Sequence, residues 1–286
     1  MSCIDLHTHT LASDGTDSPA QLVCRAKAAG LCAVAITDHD TVAGLPEAEQ
    51  QGAALDIEVV RGCEISARGD GGEIHILALW LPTDTTVLER SLSALREHRD
   101  ARNVIIVEKL QALGLGISYE EVTAASQGEA VGRPHIAKVL INKGFVRDWQ
   151  EAFVRYLGYK GQAYVPKEIL SPEDAVSLLA GMGATVSLAH PCLSLASRER
   201  VENCVRQLKE YGLSAIEAYH SDHSQAEQRF CVDVAARYGL ALTGGSDYHG
   251  TAKARIALGT GYGGLRVPRF VLDNLKTARR CLGLPV

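Results

Sequence analysis

Short apolar segments alternate with amphipathic segments along much of the chain, and the spacing within each segment predicts its structure. The continuous apolar run 31–36 is typical of a parallel strand that is covered on both faces. The preceding segment opens with Ser18-Pro19 and closes with Gly30, which are residues that favour the two ends of a helix. Ser171-Pro172 opens a later helix in the same way. This alternation predicts a parallel sheet flanked by helices.

Seven strands are predicted, at 4–10, 31–36, 57–66, 73–80, 184–191, 213–220 and 240–249. Between the fourth and the fifth, helical segments follow one another without an apolar strand, at 88–113, 117–122, 132–140 and 148–158. A chain of 286 residues suits one α/β barrel with an insertion better than two equal domains. We therefore expect a helical insertion at 99–167 that covers the mouth of a barrel built from 1–98 and 168–286.

Residues that can bind metal ions end almost every predicted strand. They are His7, His9, Asp14, His39, Glu64, His75, His190, Asp247 and His249. Parallel barrels gather their functional side chains at the carboxyl ends of the strands, so we expect these nine at one rim. His7 and His9 are two residues apart on a strand, which places both imidazoles on the same face.

This donor set favours some metals over others. Neutral imidazoles and carboxylates suit Mn²⁺, Zn²⁺ or Fe²⁺, whereas Mg²⁺ prefers oxygen ligands and retained waters. Glu64 is the candidate for a carboxylate that bridges two ions. Any single histidine of the set has the alternative of being a hydrogen-bonded core residue, and Asp14 also suits a tight turn in Ser13-Asp14-Gly15. Asp38 and Asp40 flank His39 and are expected to orient it rather than to bind metal.

The net charge and the composition of the chain restrict the classes of partner that we expect. The net charge of −5 does not favour binding to duplex DNA or to an anionic membrane. The eight cysteines are scattered without a CxxC spacing, and no apolar run is long enough to span a membrane, so we expect a cytoplasmic protein with reduced thiols. The few aromatic residues favour a small substrate over an extended base-stacking track.

Five motifs together resemble the polymerase and histidinol phosphatase (PHP) family. They are Asp5-Leu6-His7-Thr8-His9 with Ser13-Asp14-Gly15, Ile36-Thr37-Asp38-His39-Asp40, Gly62-Cys63-Glu64, Ala189-His190-Pro191, and Gly245-Ser246-Asp247-Tyr248-His249. The resemblance implies a distorted (β/α)7 barrel, similar to a TIM barrel, and two or three divalent metal ions that support phosphoester hydrolysis. Among these ions Mn²⁺ is preferred over Zn²⁺ or Fe²⁺.

The resemblance also implies a division of the ligands among the ions. His7, His9, Glu64 and Asp247 would hold the first ion, Glu64, His75 and His190 the second, and Asp14, His39 and His249 the third. Some members of the family have a histidine near position 14 or 15, where this chain has Asp14-Gly15. This departure changes the set of residues that would bind the third ion.

The predicted insertion resembles the branch of the family that includes 3′,5′-nucleotide bisphosphate phosphatase. The resemblance implies removal of the 3′-phosphate from adenosine 3′,5′-bisphosphate, giving AMP, by attack of metal-bound hydroxide. Asp247 is the candidate proton acceptor and His223 the candidate proton donor to the leaving oxygen. Arg133, His135, Lys167 and His223 are the candidate substrate contacts, and Arg133 offers a bidentate fork for phosphate oxygens.

Three other functions remain open at this stage. Histidinol-phosphate phosphatase shares the metal motifs, and 5′–3′ exonuclease action on short oligoribonucleotides is compatible with the phosphatase activity. A metal-binding accessory module without catalytic activity is the non-enzyme alternative. The expected partner is accordingly a small nucleotide or a short oligonucleotide, with no membrane and no stable complex with duplex DNA.

Overall fold

The computed structural model describes residues 3–69, 72–126, 131–166 and 169–286. The chain separates into two compact units, one formed by 1–89 with 170–286 and the other by 90–169. The predicted insertion at 99–167 falls within the range of the second unit. The assignment of these ranges to a barrel and to a cap stays a prediction.

The elements follow one another in chain order as β1 (Cys3–Asp5), α1 (Pro19–Ala28), β2 (Leu31–Ile36), α2 (Leu45–Leu55), β3 (Glu58–Gly69), β4 (Gly72–Leu79), α3 (Thr86–Ala112), α4 (Tyr119–Ala125), α5 (Arg133–Asn142), α6 (Trp149–Ala152), a π-helical turn (Phe153–Leu157), α7 (Pro172–Gly181), β5 (Thr185–Leu188), α8 (Pro191–Ser194), α9 (Arg198–Lys209), β6 (Ala215–His220), α10 (Gln225–Tyr238), β7 (Ala241–Gly245), a 3₁₀ turn (Gly250–Lys253), β8 (Val267–Pro268) and α11 (Arg269–Cys281). Serine caps begin several of the helices. Ser18 accepts a hydrogen bond from the Gln21 amide at the start of α1, as its sequence predicts.

The first unit is an α/β barrel, as predicted. Its strands lie in the order β7-β6-β5-β4-β3-β2-β1-β8. The two ends of the sheet approach each other where the Leu6 amide donates to the Gly244 carbonyl at 3.1 Å and the His9 amide donates to the Tyr248 carbonyl at 2.8 Å. These hydrogen bonds nearly close the barrel and bring the segments after β1 and β7 side by side.

The sheet is mixed rather than wholly parallel. β3 and β4 are antiparallel, and so are β4 and β5, whereas β1–β2–β3 and β5–β6–β7 pair in parallel. A parallel pair needs a crossover connection, and the short link between Gly69 and Gly72 leaves no room for one. As a result, Glu64 and His75 lie inside strands rather than at their ends.

An eighth strand joins the seven that the sequence predicts. Val267 and Pro268 pair antiparallel with β1, and α11 begins directly after them at Arg269. One apolar face of α11 packs on this edge of the sheet. The shared core consists of Ile4, Leu6, Ala33, Ala35, Val60, Leu79, Ala215, Val267, Val271, Leu272 and Leu275.

The second unit has a hydrophobic core of its own. It is built from Ile106, Val107, Leu110, Ile117, Val122, Ile136, Ala137, Val139, Leu140, Val146, Ala152, Tyr156, Leu157 and Ala163. Helices α3 to α6 and the π-helical turn contribute most of these side chains. Within the described parts of both units, no helix combines the length and apolar character needed to cross a bilayer.

Candidate metal centre

The segment after β1 carries the first pair of predicted ligands. His7 and His9 are fully buried, and their Nε2 atoms lie 3.2 and 3.3 Å from Oε2 of Glu64. The same two Nε2 atoms lie 3.6 and 3.2 Å from Oδ1 of Asp247, which the segment after β7 brings into place. The structure thus brings together the four residues that the family resemblance implies for the first ion.

Glu64 presents its two carboxylate oxygens to different groups of histidines. Oε2 faces His7 and His9 and lies 3.1 Å from Nδ1 of His39. Oε1 lies 3.1 Å from Nδ1 of His75 and 3.1 Å from Nε2 of His190. A fully buried carboxylate divided in this way has the geometry of a ligand shared by two ions.

Asp14 is the centre of a third group. Its carboxylate lies 3.3 Å from Nε2 of His249, 4.0 Å from Nε2 of His39 and 3.7 Å from Nδ1 of His9. The ligand atoms of these four residues all lie within 4.8 Å of one another. Asp14 is more exposed than the other members, with 56% of its side-chain surface accessible. His9 therefore stands between the first group and the third.

Several of these donor atoms are buried without a hydrogen-bond partner. Within the described residues they include Nε2 of His7, both ring nitrogens of His9, Nδ1 of His39 and Oε2 of Glu64. A buried polar atom left without a partner costs about 1–3 kcal/mol, so several such atoms around one point indicate a site that binds a ligand. Six imidazoles and three carboxylates form a mixed nitrogen and oxygen set that fits divalent transition-metal ions.

The charges of the cluster support the same interpretation. Burial alone would lower the pKa of His7, but Glu64, Glu217 and Asp247 outweigh it and raise that pKa well above its usual value. For His9, burial likewise lowers the pKa, but the nearby carboxylates of Asp247 and Glu64 outweigh it and raise the pKa to about 9. Without metal, protons on imidazoles neutralise the buried carboxylates, and divalent ions would replace those protons.

Two hydrogen bonds fix which ring nitrogen faces the cluster. Nδ1 of His7 donates to Glu217, at 3.0 Å from its Oε1, so Nε2 carries the lone pair once the ring is neutral. Nδ1 of His249 donates to the backbone carbonyl of Asp247 at 2.8 Å, and its Nε2 faces Asp14. Such partners orient metal-ligating histidines and raise their basicity.

Glu217 was missed by the sequence reasoning, although it lies within β6. It is fully buried, and its Oε2 also accepts the backbone N–H of His190 at 2.8 Å. That bond holds the segment after β5 in place, where His190 has a backbone φ of 25°. A carboxylate inside the apolar run 213–220 was the signal available in the sequence, because a buried charge needs a partner.

Asp247 is held from its other side by two residues that were not among the predicted ligands. Lys253 Nζ lies 2.7 Å from Oδ2 of Asp247, and Nε2 of His220 lies 3.6 Å from the same oxygen. The Asp222 amide donates to Nδ1 of His220 at 3.1 Å, which leaves the proton of the neutral ring on Nε2. Oδ1 of Asp247 is thereby left for the cluster.

Asp38 shapes the turn that carries Asp14. It accepts hydrogen bonds from the Thr10 amide at 2.6 Å, the Thr10 hydroxyl at 2.8 Å and the Ser13 hydroxyl at 2.7 Å. Asp40 accepts the Ser66 amide at 3.1 Å. Both carboxylates are therefore engaged with neighbouring segments, and the expectation that they orient His39 stays a prediction.

The predicted substrate contacts are distributed over both units. Arg133 and His135 belong to the second unit, where Arg133 donates to the Leu157 carbonyl at 3.1 Å and lies over the Phe153 ring. His135 Nδ1 accepts the Gly132 amide at 3.1 Å. Lys167 lies outside the described residues. The roles of all three stay predictions.

His223 belongs to the first unit. Its Nδ1 donates to the Ala218 carbonyl at 3.0 Å, and its Nε2 is buried without a hydrogen-bond partner among the described residues. Burial lowers the pKa of this imidazole. A neutral ring in this tautomer accepts a proton at Nε2 rather than donating one. Its proposed action as an acid thus requires prior protonation of Nε2.

A family model described as the PHP domain matches residues 5–161. The chain belongs to the PHP family. The matched range contains six of the nine predicted ligands, namely His7, His9, Asp14, His39, Glu64 and His75. The other three, His190, Asp247 and His249, follow the later strands β5 and β7 and complete the same cluster.

Three relatives of this PHP protein carry names of different phosphoesterases. A 5′-3′ exoribonuclease from Haemophilus influenzae is 33% identical over 86% of the chain and 89% of the relative. A 3′,5′-nucleoside bisphosphate phosphatase from Chromobacterium violaceum is 31% identical over 87% and 88%. A phosphoribosyl 1,2-cyclic phosphate 1,2-diphosphodiesterase from Eggerthella lenta is 32% identical over 86% and 94%.

Solved structures are similar over nearly the whole PHP chain. A protein from Bifidobacterium adolescentis, assigned as a metal-dependent phosphoesterase, has a TM-score of 0.76 and 29% identity over 97% of this chain and 96% of its own. An amidohydrolase from Chromobacterium violaceum with bound sulfate has a TM-score of 0.76 and 28% identity over 97% of both chains. Together with the named relatives, these likenesses support a hydrolase that acts on phosphate esters and uses divalent metals.

Proposed function

We propose that the protein removes the 3′-phosphate of nucleoside 3′,5′-bisphosphates, converting adenosine 3′,5′-bisphosphate to AMP and phosphate. The observation that carries the metal-dependent chemistry is that the two carboxylate oxygens of Glu64 face different groups of histidines. In the group at Oε2, buried ring nitrogens of His7, His9 and His39 lack a hydrogen-bond partner among the described residues. The bisphosphatase relative from Chromobacterium violaceum supports the choice of substrate.

Nine residues would hold two or three divalent ions, with Mn²⁺ proposed. His7, His9, Glu64 and Asp247 form the first set, Glu64, His75 and His190 the second, and Asp14, His39 and His249 the third. Ions at such a centre polarise phosphate oxygens and lower the pKa of a water molecule. The greater exposure of Asp14 suits a third ion that is held less firmly than the other two.

The protein's own residues orient this chemistry. Glu217 holds the His7 ring and the segment that carries His190, while the Asp247 carbonyl holds the His249 ring. A cavity of about 270 Å³ opens on the site, and His39, Glu64, His75, His190 and Asp247 line it together with Ser194, Asp222 and Lys253. The 3′-phosphate would occupy this cavity, with Asp247 accepting the proton of the attacking water.

The first test is phosphate release from adenosine 3′,5′-bisphosphate by purified protein supplied with Mn²⁺. We expect AMP with a free 3′-hydroxyl, formed much faster than phosphate from histidinol phosphate. Glu64→Gln should abolish release, whereas Glu199→Gln, the same change on the surface of α9, should not. Release of the 5′-phosphate, or no release by protein shown to contain metal, would refute the proposal.

A second candidate is 5′–3′ exonuclease action on short oligoribonucleotides, favoured by the exoribonuclease from Haemophilus influenzae. The same site serves both reactions, since each hydrolyses a phosphate ester at the ribose 3′-oxygen. A 5′-phosphorylated trinucleotide in the same assay separates them. Mononucleotide release at a kcat/KM above that for the bisphosphate would make the exonuclease the principal activity.

A further inference from the structure

A second cavity in the first unit adjoins the metal centre. It has a volume of about 380 Å³ and shares Asp222 and Lys253 with the cavity that contains the metal-binding residues. Arg255 and Tyr262 complete its polar wall, beside Ala252, Ala254 and Ile256. Sites for small molecules usually occupy about 300–1,000 Å³, so this cavity can hold the part of a substrate that extends beyond the reacting phosphate.

Two cations face this space. Lys253 is partly exposed and donates to Asp247 Oδ2 at 2.7 Å, which places its ammonium group where the two cavities meet. Arg255 is exposed, and its guanidinium carbon lies 5.8 Å from the centre of the Tyr262 ring. Within the described ranges, Arg255 forms no ion pair with a carboxylate, so its planar fork remains available to an anion.

One carboxylate shares the cavity with these cations. The Tyr262 hydroxyl donates to Oδ1 of Asp222 at 2.9 Å, and the Asp222 backbone amide donates to His220. Asp222 thus holds the Tyr262 hydroxyl, while the Tyr262 ring lies beside Arg255. Tyr262 remains 53% exposed, which leaves ring surface for a nucleoside.

We propose that Lys253 and Arg255 form a subsite for the second, non-reacting phosphate of the substrate, with the Tyr262 ring beside the nucleoside. This inference rests on the proposed function, because it places the reacting phosphate at the metal centre. An arginine fork can bind two phosphate oxygens, and lysine adds a point charge. A nucleoside bisphosphate and a short oligoribonucleotide both carry a second phosphate of this kind.

The sequence reasoning made Arg133 and Lys167 candidate substrate contacts, whereas the subsite assigns recognition of the second phosphate to residues of the first unit. The two assignments can be separated by one ratio, kcat/KM for adenosine 3′,5′-bisphosphate divided by kcat/KM for adenosine 3′-monophosphate. The ratio isolates the second phosphate, because the two substrates share everything else. Losses of general stability or of metal affinity cancel in it.

The informative variant is Arg255→Gln, and its matched control is Arg266→Gln. Arg266 is exposed in the same unit and lines neither cavity, so it undergoes the same charge change elsewhere. We expect Arg255→Gln to lower the ratio about 10- to 100-fold, the loss of one charge-assisted contact, and Arg266→Gln to leave it unchanged. An unchanged ratio in Arg255→Gln, with Arg133→Ala lowering it, would overturn the subsite.

A binding experiment separates this inference from the proposed activity. AMP retains the second phosphate, and its affinity for the Mn²⁺-loaded protein can be measured by calorimetry, with adenosine as the ligand that lacks phosphate. We expect Arg255→Gln to weaken AMP binding about 10- to 100-fold relative to Arg266→Gln. If the wild-type protein releases no phosphate from the bisphosphate, yet AMP binds more weakly to Arg255→Gln than to Arg266→Gln, the proposed substrate is wrong and the subsite stands. Equal AMP affinities in both variants would refute the subsite even in an active enzyme.

Discussion

Glu217→Gln tests whether the hydrogen bonds behind the metal ligands set the affinity for metal. Glu217 accepts Nδ1 of His7 at 3.0 Å through one oxygen and the His190 amide at 2.8 Å through the other. Glutamine has nearly the same shape but only one acceptor oxygen. Whichever donor faces its amide nitrogen therefore loses its partner in a fully buried site.

The size of the effect follows from that lost contact. A hydrogen bond to a charged group contributes about 1.5–3 kcal/mol, and loss of a partner that orients a ligating histidine lowers metal affinity about 10- to 100-fold. We expect the Kd for Mn²⁺ to rise by that factor, which corresponds to about 1.4–2.7 kcal/mol. The activity should recover at saturating Mn²⁺, because Glu217 orients ligands and does not contact substrate.

The assay is calorimetric titration of chelator-treated protein with Mn²⁺, together with kcat measured against free Mn²⁺. Glu227→Gln is the matched control, since Glu227 caps α10 through Ser224 outside the metal-binding cluster. Thermal unfolding of both metal-free variants reports on folding. Unchanged Mn²⁺ affinity in folded Glu217→Gln, or a loss of kcat that saturating Mn²⁺ does not restore, would refute the reasoning.

Three further predictions concern other parts of the site. Because nearby carboxylates outweigh burial and raise the pKa of His9 to about 9, metal must displace a proton from this ring below that pH. The affinity for Mn²⁺ should therefore rise with pH toward 9, and calorimetry in buffers of different ionisation enthalpy should detect proton release. Asp38→Ala leaves the donors of Thr10 and Ser13 unpaired, so it should lower the free energy of unfolding, measured in urea, by about 1–3 kcal/mol. Because these bonds shape the turn that carries Asp14, the variant should also bind fewer Mn²⁺ ions, and an unchanged stoichiometry would contradict this expectation. If Arg133 contacts substrate, Arg133→Ala should reduce kcat/KM for the bisphosphate far more than kcat/KM for an aryl phosphate. Equal losses would indicate that the contacts of Arg133 with Leu157 and Phe153 only stabilise the second unit.

The sequence was most informative where residue type alone restricts the chemistry. Histidines and carboxylates at the ends of apolar runs predicted the cluster, because barrel topology brings strand ends together whatever the loops between them do. The same reasoning misjudged β3 and β4, which were treated as members of a parallel series. Only six residues separate the predicted strands 57–66 and 73–80, which is too few for a crossover, so the hairpin was predictable from length.

Residues whose roles depend on contacts with other segments of the chain were harder to identify from the sequence. Within the hairpin, Ser66 lies opposite His75 and Glu64 lies opposite Leu77, so Glu64 and His75 are diagonal neighbours on one face. That register follows from the pairing and not from either strand alone. Lys253 gives no signal in its own segment, because its role depends on the position of Asp247, whose backbone has a φ of 57°.

Asp247 connects the metal-binding residues with the proposed phosphate subsite. Its Oδ1 lies near the imidazoles of His7 and His9, while its Oδ2 is bound by Lys253. A change at Lys253 would therefore disturb the ligand and the subsite together, and its effect on activity could not be assigned to either. Arg255 faces the same cavity without a bond to any ligand in the described chain, so its substitution changes only the subsite. The geometry thus makes Arg255, and not the nearer Lys253, the residue whose loss distinguishes recognition of a second phosphate from assembly of the metal centre.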